Sequence, residues 1–286
     1  MTREGRASDG QVEASARRVA RRASPILVPL GRFGYAAEGL VYLLIGVLAV
    51  QVALGVGGET TDSKGVLLRI VGARFGHGLL IAIAVGFVGY AVWRFFEAAF
   101  DPDGQGGDTN RIVMRLVNAI NGALHLTFAV SAVRLLQTGS PGANTDATAK
   151  GGTAALLSKP FGQWLVGLVG LGVLGFAGYQ FFQAAKAKFR ENANLGEMSA
   201  TEARWYTALG RLGFGARGVV FVIIGLFLIV AARNANPQDA RGLDSALADL
   251  LTHRFGPWLL GLTALGVIAY GLFLLAEARL HRIRVT

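Results

Sequence analysis

Gly31-Arg32-Phe33-Gly34-Tyr35-Ala36-Ala37-Glu38-Gly39-Leu40-Val41-Tyr42 decides the fold, because it returns 179 residues later as Gly210-Arg211-Leu212-Gly213-Phe214-Gly215-Ala216-Arg217-Gly218-Val219-Val220-Phe221. A weaker middle copy, Arg115-Leu116-Val117-Asn118-Ala119-Ile120-Asn121-Gly122, stands 83 residues after the first. Each copy is followed by a second apolar run, and these open with Phe75-Gly76, Phe161-Gly162 and Phe255-Gly256. Two of them close alike, on Gly89-Tyr90-Ala91-Val92-Trp93-Arg94-Phe95-Phe96-Glu97-Ala98 and Gly175-Phe176-Ala177-Gly178-Tyr179-Gln180-Phe181-Phe182-Gln183-Ala184. The third keeps Tyr270, Phe273, Glu277 and Ala278 in the same register. Self-similarity at fixed spacing signals a repeat architecture. The chain reads as three tandem two-helix units.

The apolar runs are Phe33–Leu54, Phe75–Trp93, Leu116–Val133, Phe161–Gly178, Leu212–Ala232 and Phe255–Ala276. Crossing a bilayer takes about 20 mostly apolar residues, so each is a candidate span. The chain is 52% hydrophobic and only 16% charged, with a mean hydropathy of +0.46. A soluble domain usually has about a quarter of its residues charged. The expected fold is therefore all-α and integral to a membrane. Its six transmembrane helices form three tandem helical hairpins, related by a pseudo-threefold axis along the membrane normal, as parallel repeats are. A basic tail, 1–25, precedes hairpins at 26–104, 108–192 and 205–284.

The net charge of +10 invites a nucleic-acid reading. Position argues against it. Segments 1–32, 100–115, 185–211 and 279–286 together hold 17 of the 28 Lys and Arg residues, while 56–74, 137–160 and 233–254 hold 8. Retained loops are enriched in Lys and Arg, so the bias predicts an inner-membrane, multi-pass protein with both termini cytoplasmic. No basic fold or aromatic-basic platform supports nucleic acid as a partner. The first 24 residues lack an apolar core, so no cleavable signal peptide is expected. Val12, Ala16, Val19 and Ala23 recur at helical spacing beside Arg17, Arg18, Arg21 and Arg22. A solvated tail that sets topology is preferred to a surface-lying helix.

The Gly-Arg-x-Gly-aromatic starts at Gly31 and Gly210, together with the aromatic-rich helix ends, resemble a bacterial family of integral membrane proteins named domain of unknown function 1206. The resemblance covers roughly 26–284. It implies a membrane location and a repeated fold, and it brings no assigned reaction. In that family the position held here by Glu38 is more often basic, as at Arg217.

Spacings of three and four put Tyr35, Glu38 and Tyr42 on one helix face. Their counterparts are Asn118, Asn121 and His125, and then Phe214, Arg217 and Phe221. Around a common axis Glu38, Asn121 and Arg217 share one depth, roughly 10 Å past the helix start at 1.5 Å per residue. Membrane charges are costly and normally face the bundle interior or a wet cavity. The cluster Glu38, Asn118, Asn121, His125 and Arg217 is thus either structural or part of a transport pathway. The preferred expectation is a Glu38–Arg217 pair, with Asn121 as its hydrogen-bond partner, holding the units in register. His125 is read as a packing histidine ahead of a proton carrier. Trp93, Glu97, Tyr179, Gln183, Phe273 and Glu277 fall at the cytoplasmic helix ends. They are read as an interfacial belt of aromatics and polar groups, ahead of an acidic vestibule.

Gly167, Gly170, Gly175 and Gly178 line one side of their helix, as do Ala82, Gly86 and Gly89. Both stripes are expected to pack closely, because small residues let membrane helices approach. On this reading Gly175→Leu disrupts the fold. The Asp101-Pro102-Asp103-Gly104, Gly151-Gly152 and Asn234–Pro237 regions are read as loops. There is no cysteine. The four histidines lack metal-site spacing, and no phosphate loop, nucleophile elbow or His-Glu-x-x-His motif occurs. No cofactor or catalytic residue is expected. The leading expectation is a non-enzymatic structural or partner-binding component. Membrane lipids, another membrane protein or a second copy are its partners. The alternative is a small channel or transporter using the polar cluster, and a lipid-handling enzyme ranks third.

Overall fold

The computed structural model describes residues 29–100 and 108–280. The tail at 1–25 and the connector Asp101–Gly104 lie outside them. Six long helices take up the six apolar runs. They are α1 (Pro29–Ala53), α3 (Gly76–Phe100), α4 (Asp108–Thr138), α6 (Gly162–Lys186), α7 (Ala200–Asn234) and α9 (Gly256–Leu280). The protein is an all-helical membrane protein of three repeated hairpins.

Each hairpin also contains a short helix that the sequence reading missed: α2 (Ser63–Val71), α5 (Thr145–Leu157) and α8 (Leu243–Asp249). Gly151-Gly152, expected in a loop, lies within α5. The overlooked signals are caps. The Asp62 carboxylate accepts from the Gly65 amide at 2.9 Å, and the Asn144 side chain accepts from the Ala147 amide at 2.8 Å. Such caps satisfy amides that a helix start leaves without partners. Only Asn234–Pro237 is a bend: Asn234 ends α7, Ala235 takes φ 52°, and a 3₁₀ turn begins at Pro237.

The short helices explain the repeated Phe-Gly pair. A Cβ on Gly76 would lie 2.7 Å from the Val71 carbonyl oxygen, and one on Gly256 would lie 2.7 Å from the Leu251 carbonyl carbon. The glycine that starts the next long helix thus abuts the end of α2 and α5 and, in the third hairpin, the 3₁₀ turn Leu250–Thr252 that follows α8. Phe75, Phe161, Trp164, Phe255 and Trp258 stand exposed around this end of the bundle.

The hairpins pack by one rule. The first helix of each unit presents a glycine to the second helix of the preceding unit, the third unit meeting the first. A Cβ on Gly39 would lie 2.8 Å from the Gly271 carbonyl oxygen of α9. One on Gly122 would lie 3.2 Å from the Ala91 carbonyl of α3, and one on Gly218 would lie 2.7 Å from the Phe181 ring of α6. These positions are equivalent in the repeats, so the pseudo-threefold relation is visible in the contacts themselves.

Within hairpins the symmetry breaks. In the first, Gly34 sits against Tyr90, a Cβ there being 2.9 Å from the tyrosine Cα, and Gly86 sits against Ala37. In the third, Gly213 and Gly266 repeat this against Tyr270 and Ala216. In the second, Gly34 and Ala37 become Val117 and Ile120. Gly172, the counterpart of Gly86 and Gly266, has nothing within 4 Å. Leu116 and Ile120 are 60% and 54% exposed. Helices α4 and α6 accordingly stand apart.

The expected glycine stripe on α6 is corrected here. Gly170 packs on Leu228 and Ile229, and Gly167 touches only Ala232, but Gly175 and Gly178 face open space. On α3, Gly86 and Gly89 do pack closely.

One half of the axis, beside the short helices, is filled with apolar side chains, among them Val41, Ile45, Val66, Leu67, Leu247 and Leu260. There the starts of α2, α5 and α8 converge. Asp62 accepts from the Thr145 amide at 2.7 Å, Asp146 accepts from the Gly242 amide at 2.6 Å and from the Ser245 hydroxyl, and Thr145 donates to Asp244 at 3.2 Å. This is a polar cap over an apolar core.

Candidate functional site

The other half of the axis is not filled. A cavity of about 200 Å³ opens there. All three hairpins line it. Helix α4 contributes Met114, Val117, Asn118 and Asn121, and α6 contributes Phe176, Tyr179, Gln180 and Gln183. Each set follows the i, i+3, i+4, i+7 spacing of a single helix face. Tyr35, Arg94 and Glu97 come from the first hairpin, and Arg217, Tyr270 and Glu277 from the third.

Two arginines dominate the walls. Arg94 is nearly saturated. It donates to Glu97 at 2.8 Å, to Asn118 at 3.3 Å and to the Tyr35 hydroxyl at 3.3 Å, and it also bonds the Tyr90 hydroxyl. Arg217 is not. It donates to the Tyr270 hydroxyl and lies over the rings of Tyr270, Tyr42 and Phe221, 4.4, 5.6 and 5.6 Å from their centroids. Among the described residues no carboxylate comes within ion-pair distance of it, and its Nε has no partner. A guanidinium carries five N–H donors, and Arg217 has one hydrogen-bond partner among the described residues where Arg94 has four. Gln180 is only 2% exposed, yet its Nε2 also lacks a partner.

The expected Glu38–Arg217 pair is not formed. Glu38 instead meets His125, its Oε1 lying 3.4 Å from the His125 Nε2. The physical reason is the extra turn by which His125 stands past Asn121. Its Nδ1 donates back to the Asn121 carbonyl at 2.9 Å, which aims Nε2 at α1. With Nδ1 so engaged, the Glu38 contact needs a proton between the two groups. Both are buried, at 6% and 5% exposure, behind the cavity wall. His125 also packs on Tyr90, Phe87 and Phe128, so it is both a packing residue and a paired one. The Asn121 side chain lines the cavity, and Asn118 serves Arg94.

The expected belt is turned inward. Glu97, Tyr179, Gln183, Phe273 and Glu277 all line the cavity. Trp93 packs inside against Phe96 and Gly31. Glu277 accepts from the Tyr206 hydroxyl, and Gln183 donates to Tyr179 at 3.0 Å. Exposed aromatics stand at both ends, among them Phe33, Phe182 and Trp205 on the cavity side and Phe75, Phe161 and Phe255 at the Phe-Gly pairs. Helix-end position suggested lipid, but the period of four from Trp93 to Glu97 places both on the face that looks to the axis.

Sequence reading placed Tyr35 and Tyr42 on the face of Glu38 but did not assign Arg94, Gln180, Tyr90 or Tyr270 to the site. Repeat alignment held a signal, since Arg94 and Gln180 are equivalent, and polar residues of different type at one repeat position mark an asymmetric interior. Among the described residues no three histidine or carboxylate side chains gather to hold a metal ion.

Comparison with known proteins agrees with the repeat. The family model named Domain of Unknown Function (DUF1206) matches three times, at residues 33–101, 117–187 and 212–281. A protein of Bacillus subtilis (strain 168) named "Uncharacterized protein YxxB" is 35% identical over 256 residues, which span 90% of this chain and 92% of that one. No solved structure matches. One match to each hairpin, over most of the membrane part, makes this chain a member of the DUF1206 family of repeated membrane proteins.

Proposed function

We propose that this protein is a non-enzymatic binding component of the inner membrane. Both of its termini face the cytoplasm, and its axial cavity receives the polar part of a ligand or membrane partner. One observation carries the reading: a cavity closed at one end, whose walls hold Arg217 and Gln180 with unmet hydrogen-bonding capacity. A purely structural axis would satisfy its own polar groups, since each buried one left unpaired costs about 1–3 kcal/mol. An open channel would need a passage through the cap half, where Val66, Leu67, Leu247 and Leu260 fill the axis. The distribution of Lys and Arg supports the orientation, with the cavity mouth on the basic side.

A second reading is proton-coupled transport. It draws on Glu38 and His125, a proton-sharing pair one layer behind the cavity wall. The test uses the natural lack of cysteine. Gln183→Cys, reconstituted into liposomes, is expected to react with a membrane-impermeant maleimide from the side of the termini only. Varied ions and small solutes are expected to show no flux. Labelling from the cap side, or flux abolished by Glu38→Gln, would overturn the binding reading in favour of transport.

A further inference from the structure

The seam between α4 and α6 gives the cavity a second opening, sideways into the bilayer. Closed seams in the first and third hairpins show what is missing. There a glycine on the first helix takes the tyrosine of the second, and a glycine on the second takes an alanine of the first. In the second hairpin Val117 and Ile120 stand at the positions of that glycine and alanine, and Gly172 and Gly175 face open space. The same two helices carry Asn118, Asn121, Phe176 and Gln180 on the cavity wall, so the seam runs directly into the polar interior.

We infer that this seam is a lateral portal for one anionic membrane lipid. Its headgroup would sit at Arg217 and Gln180, and its acyl chain would lie along the exposed Gly172–Gly175 face of α6. This rests on the binding reading above and names the ligand class. Charge favours the source. A soluble anion coming through the cytoplasmic mouth passes the carboxylates of Glu97 and Glu277. The portal is lined by neutral Asn118, Asn121, Phe176 and Gln180, and it leads to Arg217, which is without a carboxylate partner among the described residues. An Arg guanidinium matches a phosphate in a forked, bidentate geometry. A glycine face lets a chain lie close to the helix backbone and gain van der Waals contact, the main attraction available between apolar groups within lipid.

The experiment compares dioleoyl phosphatidylglycerol, dioleoyl phosphatidylcholine and water-soluble glycerol 3-phosphate. Each is added to the delipidated full-length chain in mild detergent, and binding is read by native mass spectrometry and thermal shift. The expected result is one retained phosphatidylglycerol per chain, about tenfold tighter than phosphatidylcholine, a difference of about 1.4 kcal/mol. Arg217→Gln and Gly175→Leu should each weaken it about tenfold. The leucine has room at position 175, so that variant folds, and Gly78→Leu, at another open site, should bind as wild type. Equal binding of both lipids, or Gly175→Leu binding as wild type, would overturn the portal. So would a dimer in light scattering that Gly175→Leu dissolves, because the seam would then belong to a second copy. Glycerol 3-phosphate binding that depends on Arg217 but not on Gly175 would overturn the lipid source and leave the binding cavity standing. If neither anion binds, the lipid portal falls, and the binding reading stands or falls separately on the labelling and flux test.

Discussion

The outer two hairpins and the middle one are built from the same repeat, yet they are held together differently. In the first and third, α1 grips α3 and α7 grips α9, through Gly34 on Tyr90 and Gly213 on Tyr270. In the second, Val117 meets no such slot, and α4 and α6 are held by their neighbours instead. Helix α4 lies on α3 through Gly122, and α6 lies on α7 through Gly218 and Gly225. Burial follows in the second helices: 56% of the apolar window is buried in α3 and in α9, against 22% in α6. One glycine changed to valine and one alanine to isoleucine separate a closed hairpin from an open one. A repeat protein can thus open a site in one copy while its siblings keep the bundle intact.

The sharpest way to break this contrast is to place the same side chain in both kinds of seam. Gly34→Leu drives a leucine into the backbone of Tyr90. Overpacking costs about 1–3 kcal/mol where neighbours can move, and more against backbone. The expected outcome is loss of monodisperse protein in size-exclusion chromatography. Gly175→Leu, in the open seam, should keep the wild-type elution profile and melting temperature. Equal damage from both would show that the middle seam closes in the membrane.

A second contrast tests which neighbour holds α4. The Glu38–His125 contact ties the middle hairpin to the first at the depth where Arg217 stands. Breaking a buried pair by removing one member costs about 3–5 kcal/mol. Glu38→Ala should therefore destabilise the purified protein, and a double-mutant cycle with His125→Ala should give a coupling of about 1–2 kcal/mol. The cycle with Arg217→Ala should be additive within about 0.5 kcal/mol. Coupling to Arg217 exceeding that to His125 would restore the pair expected from the repeat alignment.

That alignment read the large features well. Six spans and three hairpins follow from periodicity and spacing, which are local properties of the chain. It failed where the outcome depended on neighbours. Glu38 and Arg217 carry opposite charges at one depth, but His125, one turn further along its helix, reaches Glu38 instead. Gly170 and Gly175 look like one stripe along α6, but five residues turn them roughly 140° apart at 3.6 residues per turn: Gly170 faces Leu228 and Ile229 of α7, while Gly175 faces open space. The short helices were hidden for a different reason. Their polar caps, Asp62 and Asn144, have the composition of a loop, and at 9, 13 and 7 residues α2, α5 and α8 fall below the length at which a periodic signal stands out.

The cap offers the gentlest test of how the middle hairpin is anchored. With no seam of its own, its α5 is pinned to α8 of the third hairpin by Asp146, which bonds Gly242 and Ser245 beside Asp244. Lys64 occupies the matching position in the first hairpin, whereas the second and third set two carboxylates, Asp146 and Asp244, against each other. Partial burial and the adjacent Asp146 push the Asp244 carboxyl up to about 6, while the bonds to Asp146 hold its own carboxyl below the ordinary range. The raised Asp244 binds its proton more tightly folded than unfolded. It therefore adds stability below its unfolded value of about 4, and that contribution is lost as pH rises through about 6. Asp146 works the other way, stabilising at neutral pH and losing its contribution on acidification. Asp244→Asn removes the first effect and keeps an acceptor for Thr145. It should raise the melting temperature by about 2 °C at pH 7.5, near 1 kcal/mol once solvent screening of this half-exposed group is allowed for, and leave it unchanged at pH 4. An Asp244→Asn protein that melts lower at pH 7.5 would mean that the charged carboxylate itself clamps α5, and that the middle hairpin is held at the cap by an ionised pair of helix starts instead of a shared proton.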